Sequence, residues 1–254
     1  KHIPSLQHFK LGALERVGGS LEIAAAIPPW PLDAQLNALE LPTNGLAVIP
    51  PRFVNLVNVT AVDLSGNRFT NIPIQLECFT RLTKLNFGDN LMPLIVPPSG
   101  GFRMEVLTNL ILAGNGLETF PDHLGNLPAL RTLSLARNKL TEISQRFFMQ
   151  YKLLDILDIS CNKLITLPAS VGYLSKLTYF DLSGNAITSM PDSVLGMTSL
   201  KYLDLSYNKL PSLAVCFGRM KSLHTLKISY NCMTVLPPHL GSLRDTLQNF
   251  DFSG

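Results

Sequence analysis

Charge is scarce in this chain: only 15% of its 254 residues are charged, and it has one tryptophan and four cysteines. The cysteines, Cys78, Cys161, Cys216 and Cys232, lie far apart with no Cys-x-x-Cys pair, so they read as reduced thiols and not as a disulfide framework or a zinc knuckle. The five histidines, His2, His8, His123, His224 and His239, are equally dispersed. None stands at metal-ligand spacing from another His or Cys, so neither a metal nor a cofactor is expected. The glycine-bearing PPSGGFR lacks the Gly-Lys-Ser/Thr ending that would hold phosphate and magnesium. No run approaches the roughly 18 uninterrupted apolar residues of a spanning helix. LEIAAAIPPW is short and ends in prolines, which excludes a membrane helix or a signal-peptide core there. Net charge is +3, with 8 basic and 10 acidic groups over residues 1–127 against 13 and 8 over 128–254. That imbalance is too small to indicate nucleic acid.

What is present is a repeat. The eleven-residue phrase Leu-x-x-Leu-x-Leu-x-x-Asn-x-Leu recurs around Asn44, Asn67, Asn90, Asn115, Asn138, Asn162, Asn185, Asn208 and Asn231, at intervals of 23, 23, 25, 23, 24, 23, 23 and 23 residues. A fixed period of this length is the signature of a solenoid. Within one copy, Leu200, Leu203, Leu205 and Leu210 fall on the core side while Asp204 alternates outward, as the two-residue period of a strand requires. Each copy therefore predicts one short strand, and stacking the copies in parallel buries a hydrophobic set that no single copy can bury. The asparagine stands where the chain leaves the strand. Its amide is expected to satisfy backbone groups of adjacent turns, which makes all nine structural and not ligand-binding.

Proline follows the asparagine by six residues at Pro50, Pro73, Pro121, Pro168, Pro191 and Pro237, and Leu-Gly-x-Leu pieces follow it at Leu124–Leu127 and Leu240–Leu243. A residue with fixed φ and no N–H suits the start of a short helical or irregular return segment. On the phrase, its 23-residue spacing and these prolines, the chain resembles the leucine-rich repeat family over residues 36–254, and within it the intracellular class found in Ras-pathway scaffolds and plant Ras-group-related repeat proteins. The resemblance implies an α/β leucine-rich repeat solenoid: a curved horseshoe with a parallel concave sheet of about ten strands and an irregular or short-helical convex side. It also implies a non-catalytic scaffold in intracellular signalling, with a small GTPase or a phosphatase subunit as the typical partner and the cytoplasm as its location. Two alternatives stay open: a targeting segment of a multidomain phosphatase, kinase or GTPase, and a receptor ectodomain fragment, which a glycan at the Asn58-Val59-Thr60 sequon would support.

Residues 1–35 lack the phrase and are expected to form an N-terminal cap, with Trp30 and the Ile23–Ile27 stretch over the first coil, or the tail of a preceding domain. A tenth phrase, LQNFDFSG, breaks off before its asparagine, so the array is expected to continue past residue 254. Two irregularities interrupt the array. The repeat from Asn90 to Asn115 is longer by two residues and carries IVPPSGGFRMEVL, which predicts a protruding loop. In EISQRFFMQYKLL, Ser144 replaces the proline, and Phe147 and Phe148 are expected to fill the convex core.

Function is expected on the outward strand positions of the concave face. The third position of the phrase brings Tyr179 beside Tyr202, and the fifth brings Asp158, Asp181 and Asp204 into one row. Tyr207 and Tyr230, from the eighth position, border the same patch, with Lys201, His224 and Lys227 nearby. Paired aromatics beside charge are the composition of an interface hot spot, so this patch is the expected protein-binding site. Aspartate is also a common solubilising choice at an exposed strand position. A second, weaker candidate is the less polar strip Asn109, Ile111, Ala113 and Ile156. Serines recur at the seventh position with no histidine to activate them, which leaves no candidate nucleophile.

Overall fold

The computed structural model describes residues 8–10, 35–49, 51–96, 102–119 and 125–253. They fall into two compact units, Lys1–Gly116 with His123–Leu130, and Leu117–Asp122 with Arg131–Gly254. The repeat phrase becomes a three-residue strand in every copy. In the first unit β1 (His8–Lys10), β2 (Ala38–Glu40), β3 (Ala61–Asp63) and β4 (Lys84–Asn86) are followed by the two-residue β5 (Phe102–Arg103), then β6 (Asn109–Ile111) and the two-residue β7 (Gly125–Asn126). The second unit holds β8 (Thr132–Ser134), β9 (Ile156–Asp158), β10 (Tyr179–Asp181), β11 (Tyr202–Asp204), β12 (Thr225–Lys227) and β13 (Asn249–Asp251).

Pairing within each unit is parallel and in register with the repeat. Val62 aligns with Leu39 and Leu85, and Phe180 aligns with Leu157 and Leu203. The middle residue of β2, β3, β4, β6 and β8–β12 is buried, while its neighbours, Asp204 apart, are at least partly exposed, so the strand period divides core from surface. Phenylalanines fill the widest parts of the interior, Phe53, Phe69 and Phe87 in the first unit and Phe147, Phe148, Phe180 and Phe217 in the second. This is the expected α/β leucine-rich repeat solenoid.

One strand comes earlier than the phrase. β1 lies in the segment expected as a cap or a preceding tail, yet it pairs residue by residue with β2. Leu6, Phe9 and Leu11 have the spacing of Leu36, Leu39 and Leu41, but Leu14 stands where Asn44 would be, and that missing asparagine hid the copy. Trp30 and the Ile23–Ile27 stretch lie outside the described residues.

The return segments are five- or six-residue 3-10 helices. Pro73, Pro168, Pro191 and Pro237 each stand in extended conformation immediately before one, at Ile74–Cys78, Ala169–Tyr173, Asp192–Gly196 and Pro238–Leu243. Ala214 takes that place before Val215–Arg219, with φ −61° and ψ 148°. Where Ser144 replaces proline, its hydroxyl accepts from the Phe147 N–H and opens an α-helix, Gln145–Gln150, that buries both phenylalanines as expected. Residues 97–101 of the longer repeat lie outside the described residues. Its following residues Phe102–Arg103 pair in parallel with Gly125–Asn126, so they form a strand and not the expected loop.

The asparagines bind successive coils together. Asn208 Nδ2 donates to Leu205 O and Ser206 O of its own turn at 3.0 and 3.2 Å and to Leu182 O of the preceding coil at 3.0 Å, while Oδ1 accepts from Ile187 N–H at 2.9 Å. Asn67, Asn162, Asn185 and Asn231 repeat this set of bonds. Asn90 makes the equivalent donations and accepts from Phe69 N–H. Asn115 donates to Phe87 O and Leu112 O, Asn138 donates to Leu135 O and accepts from Leu117 N–H, and Asn44 donates to Pro42 O.

Candidate functional site

The residue just before each asparagine is left-handed in every copy. Six are not glycine, Thr43, Asp89, Arg137, Cys161, Tyr207 and Tyr230, with φ between 54 and 57°. Gly66, Gly114 and Gly184 fill the other three positions at φ 66 to 69°. This conformation turns the eighth position of the phrase out of the strand line. It presents Tyr207 and Tyr230 on the surface, 59% and 51% exposed, with rings stacked at 4.4 Å and 12°.

On the strands themselves, in-register pairing of β10 with β11 lays Tyr179 against Tyr202, ring centroids 4.3 Å apart and planes 6° apart. The same pairing aligns Asp158, Asp181 and Asp204. Lys227 follows in that row on β12. Its ammonium lies 3.5 Å from Asp204 Oδ2 and 5.3 Å from the centroid of the Tyr202 ring, an ion pair and a cation–π contact made by one lysine. The expected patch thus assembles on one unit, with both tyrosine pairs, the carboxylate row and Lys227. His224 is half-buried and its Nδ1 lies 2.6 Å from Ser222 O.

Most of the carboxylate row also has a local duty. Asp158, Asp181, Asp204 and Asp251 each accept, through Oδ1, from the backbone N–H two residues on, at 2.9 to 3.3 Å. Asp63 does the same in the first unit at 2.9 Å, and Asn86 does it with an amide oxygen at 3.0 Å. These are side-chain turns that steer the chain out of the strand. Ser160 and Ser183 add hydroxyl donation to Asp158 and Asp181 at 2.7 Å. Asp204 differs from the outward position expected of it: it is only 7% exposed, and its second oxygen accepts from the Tyr202 hydroxyl at 3.1 Å beside Lys227. The sequence reading missed this use of Lys227 as an internal counter-ion, because the contact runs between neighbouring repeats.

Electrostatics follow from the packing. Burial pushes the Asp181 carboxyl up, against the lowering effect of its bonds from Ser183, and Asp204 and Asp158 push it further. Burial likewise raises the phenols of Tyr179 and Tyr202. The Tyr202 hydroxyl holds the Lys227 ammonium above its ordinary value, ahead of the opposing effect of burial.

The weaker strip loses a member, since Ala113 is 7% exposed and belongs to the core. In the first unit the same sheet face carries a shallow hollow of about 230 Å³ between Glu40, Asp63, Lys84, Asn86 and Ile111, without an aromatic ring. Among the described residues no three His, Cys, Asp or Glu side chains gather as a metal site, and no helix is long and apolar enough to cross a membrane. Burial and the neighbouring Asp192 raise the Cys216 thiol to about 11, which keeps it protonated and poorly nucleophilic at neutral pH.

A family model described as "Leucine rich repeat" matches residues 105–164 and 152–210. Together with the strand ladder and the relatives below, this match supports the leucine-rich repeat family. It is 29% identical over 181 residues to Toll-like receptor 2 type-2 of Gallus gallus, a match covering 65% of this chain and 23% of the receptor. It is 32% identical over 130 residues to an adenylate cyclase of Schizosaccharomyces pombe, covering 51% of this chain and 7% of the cyclase. Among solved structures, the TLR13–ssRNA13 complex superposes with a TM-score of 0.76 at 25% identity over 86% of this chain and 32% of that one. The chain therefore spans a minor part of the length of each of these proteins.

Proposed function

We infer that this segment is a non-catalytic recognition module that binds a folded protein on the exposed sheet face of β9–β12. One observation carries the reading: two stacked tyrosine pairs from consecutive repeats border a row of carboxylates on a preorganised surface. Rigid amphipathic rings lose little entropy on contact and dominate interface energetics. The module acts in intracellular signalling. Three exposed thiols, Cys78, Cys161 and Cys232, support that location, because free surface cysteines suit a reducing compartment. A small GTPase or a phosphatase subunit fits the family resemblance, and the adenylate cyclase match supports a regulatory role beside a catalytic domain.

A second reading, a receptor ectodomain, is favoured by the likeness to Toll-like receptor 2 type-2. The TLR13 complex contains single-stranded RNA, but the adjacent carboxylates of Asp158 and Asp181 disfavour phosphate, which supports a protein ligand here. Pull-down with the wild-type segment and with Tyr179→Ala/Tyr202→Ala tests the site. Partner recovery should fall at least tenfold in the variant, and undiminished recovery would overturn the assignment. Glycosidase treatment and thiol labelling of the native protein separate the two locations: a glycan at Asn58 or oxidised cysteines would favour the receptor.

A further inference from the structure

We propose that the partner presents an arginine from a basic segment, packed on the Tyr179–Tyr202 stack with its guanidinium shared by the carboxylates of Asp158 and Asp181. This rests on the docking reading above and adds the chemistry of what docks.

The protein already shows how this surface takes a cation. At β11 and β12 the group formed by Tyr202, Asp204 and Lys227 is complete: an aromatic ring, a carboxylate and an ammonium, at 5.3 Å from the ring centroid and 3.5 Å from the carboxylate oxygen. One strand back, Tyr179 and Asp181 repeat the ring and the carboxylate at the same positions of the phrase. There the cation is missing, because the next residue in the row is Asp204, and Asp204 is committed to Lys227. On the other side the row continues with a third carboxylate, Asp158. Asp158 and Asp181 sit on adjacent strands, so their side chains start about 5 Å apart. Like charges this close raise the free energy of the unbound face, and a cation set between them removes the repulsion.

Two carboxylates at this separation beside a flat ring favour arginine over lysine. The guanidinium presents a planar fork of donors that can engage both carboxylates while its face packs on an aromatic ring, whereas an ammonium is a compact point charge that does neither as well. The turn bonds leave room for this contact. Asp181 Oδ1 is taken by the Ser183 N–H and hydroxyl, while Oδ2 has only the Tyr179 hydroxyl at 3.5 Å. Asp158 Oδ2 accepts from the Ser134 hydroxyl alone, at 3.1 Å.

Asparagine can replace either aspartate without losing the turn, since Asn86 already makes it with an amide oxygen. Asp158→Asn and Asp181→Asn therefore remove charge and little else. The probe is a fluorescein-labelled Arg-Gly repeat peptide, compared by anisotropy with Lys-Gly and Glu-Gly peptides of equal length. The Arg-Gly peptide should bind best, and each asparagine variant should weaken it by about tenfold without lowering the melting temperature. Lys227→Ala exposes the second ring–carboxylate group and should tighten binding several-fold. Lys209→Ala, the same charge change at an exposed residue on another part of the phrase, should not.

Equal binding by wild type and both asparagine variants, or equal gains from Lys227→Ala and Lys209→Ala, would reduce the effect to bulk charge and overturn the proposal. If the Arg-Gly peptide fails to bind while Tyr179→Ala/Tyr202→Ala still loses the native partner, the arginine chemistry falls and the docking site stands. If the double tyrosine variant keeps the partner, the docking site itself falls.

Discussion

At the scale of single residues, the repeat assigns each side chain two roles that the phrase alone does not separate. The asparagines hold coils together: Asn208 joins two turns through one amide, with both its oxygen and its nitrogen used. Asn208→Ala leaves the Ile187 N–H without its acceptor and takes one of two amide donors from each of the Leu182 and Leu205 carbonyls, which should lower stability by about 1–3 kcal/mol in urea unfolding. The aspartates of the fifth position steer the turn and also set the charge of the face, and for Asp181 these roles conflict. Its carboxyl is raised in the folded state, chiefly by burial, so the ionised form is disfavoured there. The stabilising contribution is complete below the unfolded value and lost as pH rises through the folded one. Asp181→Asn should therefore melt higher than wild type at pH 7, and the two should converge as the pH falls below the ordinary carboxylate range. A lower melting temperature for the variant at pH 7 would show that the Ser183 bonds outweigh burial.

Among the elements, the return helices are set by proline at the start and by glycine where they touch. A Cβ on Gly196 would run into the Gly172 carbonyl, one on Gly172 into the Ser193 carbonyl and one on Gly218 into the His239 carbonyl. Backbone meets backbone at these points, so no side-chain rotation relieves the clash. Gly196→Ala should cost about 2 kcal/mol, in the range seen for overpacking. Gly241 has no atom within 4 Å of the same position, so Gly241→Ala should be neutral or stabilise by up to about 1 kcal/mol. Thermal melts of the two variants side by side give the comparison, and equal losses would refute the backbone contact as the cause.

For the molecule as a whole, a solenoid unit gains stability from the coils on either side of each strand. In the second unit β10 has a neighbour on both sides, with Phe180 fully buried. In β13 every residue is exposed, and Phe250 is 42% exposed. In the 254-residue segment by itself, hydrogen exchange should show the slowest amides in β10 and β11 and the fastest strand amides in β13. Uniform protection across β9–β13 would mean that the unit opens as a single block. The candidate face lies on this best-supported stretch, which suits a surface whose affinity depends on arriving preformed.

The sequence by itself determined the strands and the face. All ten copies of the phrase form the one short strand expected of them, each starting at the third position, and the tyrosine pairs and the carboxylate row follow from that register, because a repeat of fixed length places equivalent residues side by side whatever surrounds them. The left-handed turn at the eighth position came from the structure: three of the nine positions are glycine, but Tyr207 and Tyr230 give no such sign. Only the tertiary structure decided which charges are already spent. Whether Lys227 reaches Asp204 and Tyr202, whether Asp204 is covered, and whether Asp181 keeps an oxygen open depend on side-chain directions and distances between coils. The same holds for β1, whose phrase lacks its asparagine and is recognisable as a strand only because β2 offers it an edge to pair with. Periodicity is a property of one chain read along its length, whereas neutralisation, burial and edge pairing are relations between coils that exist only once the coils are stacked.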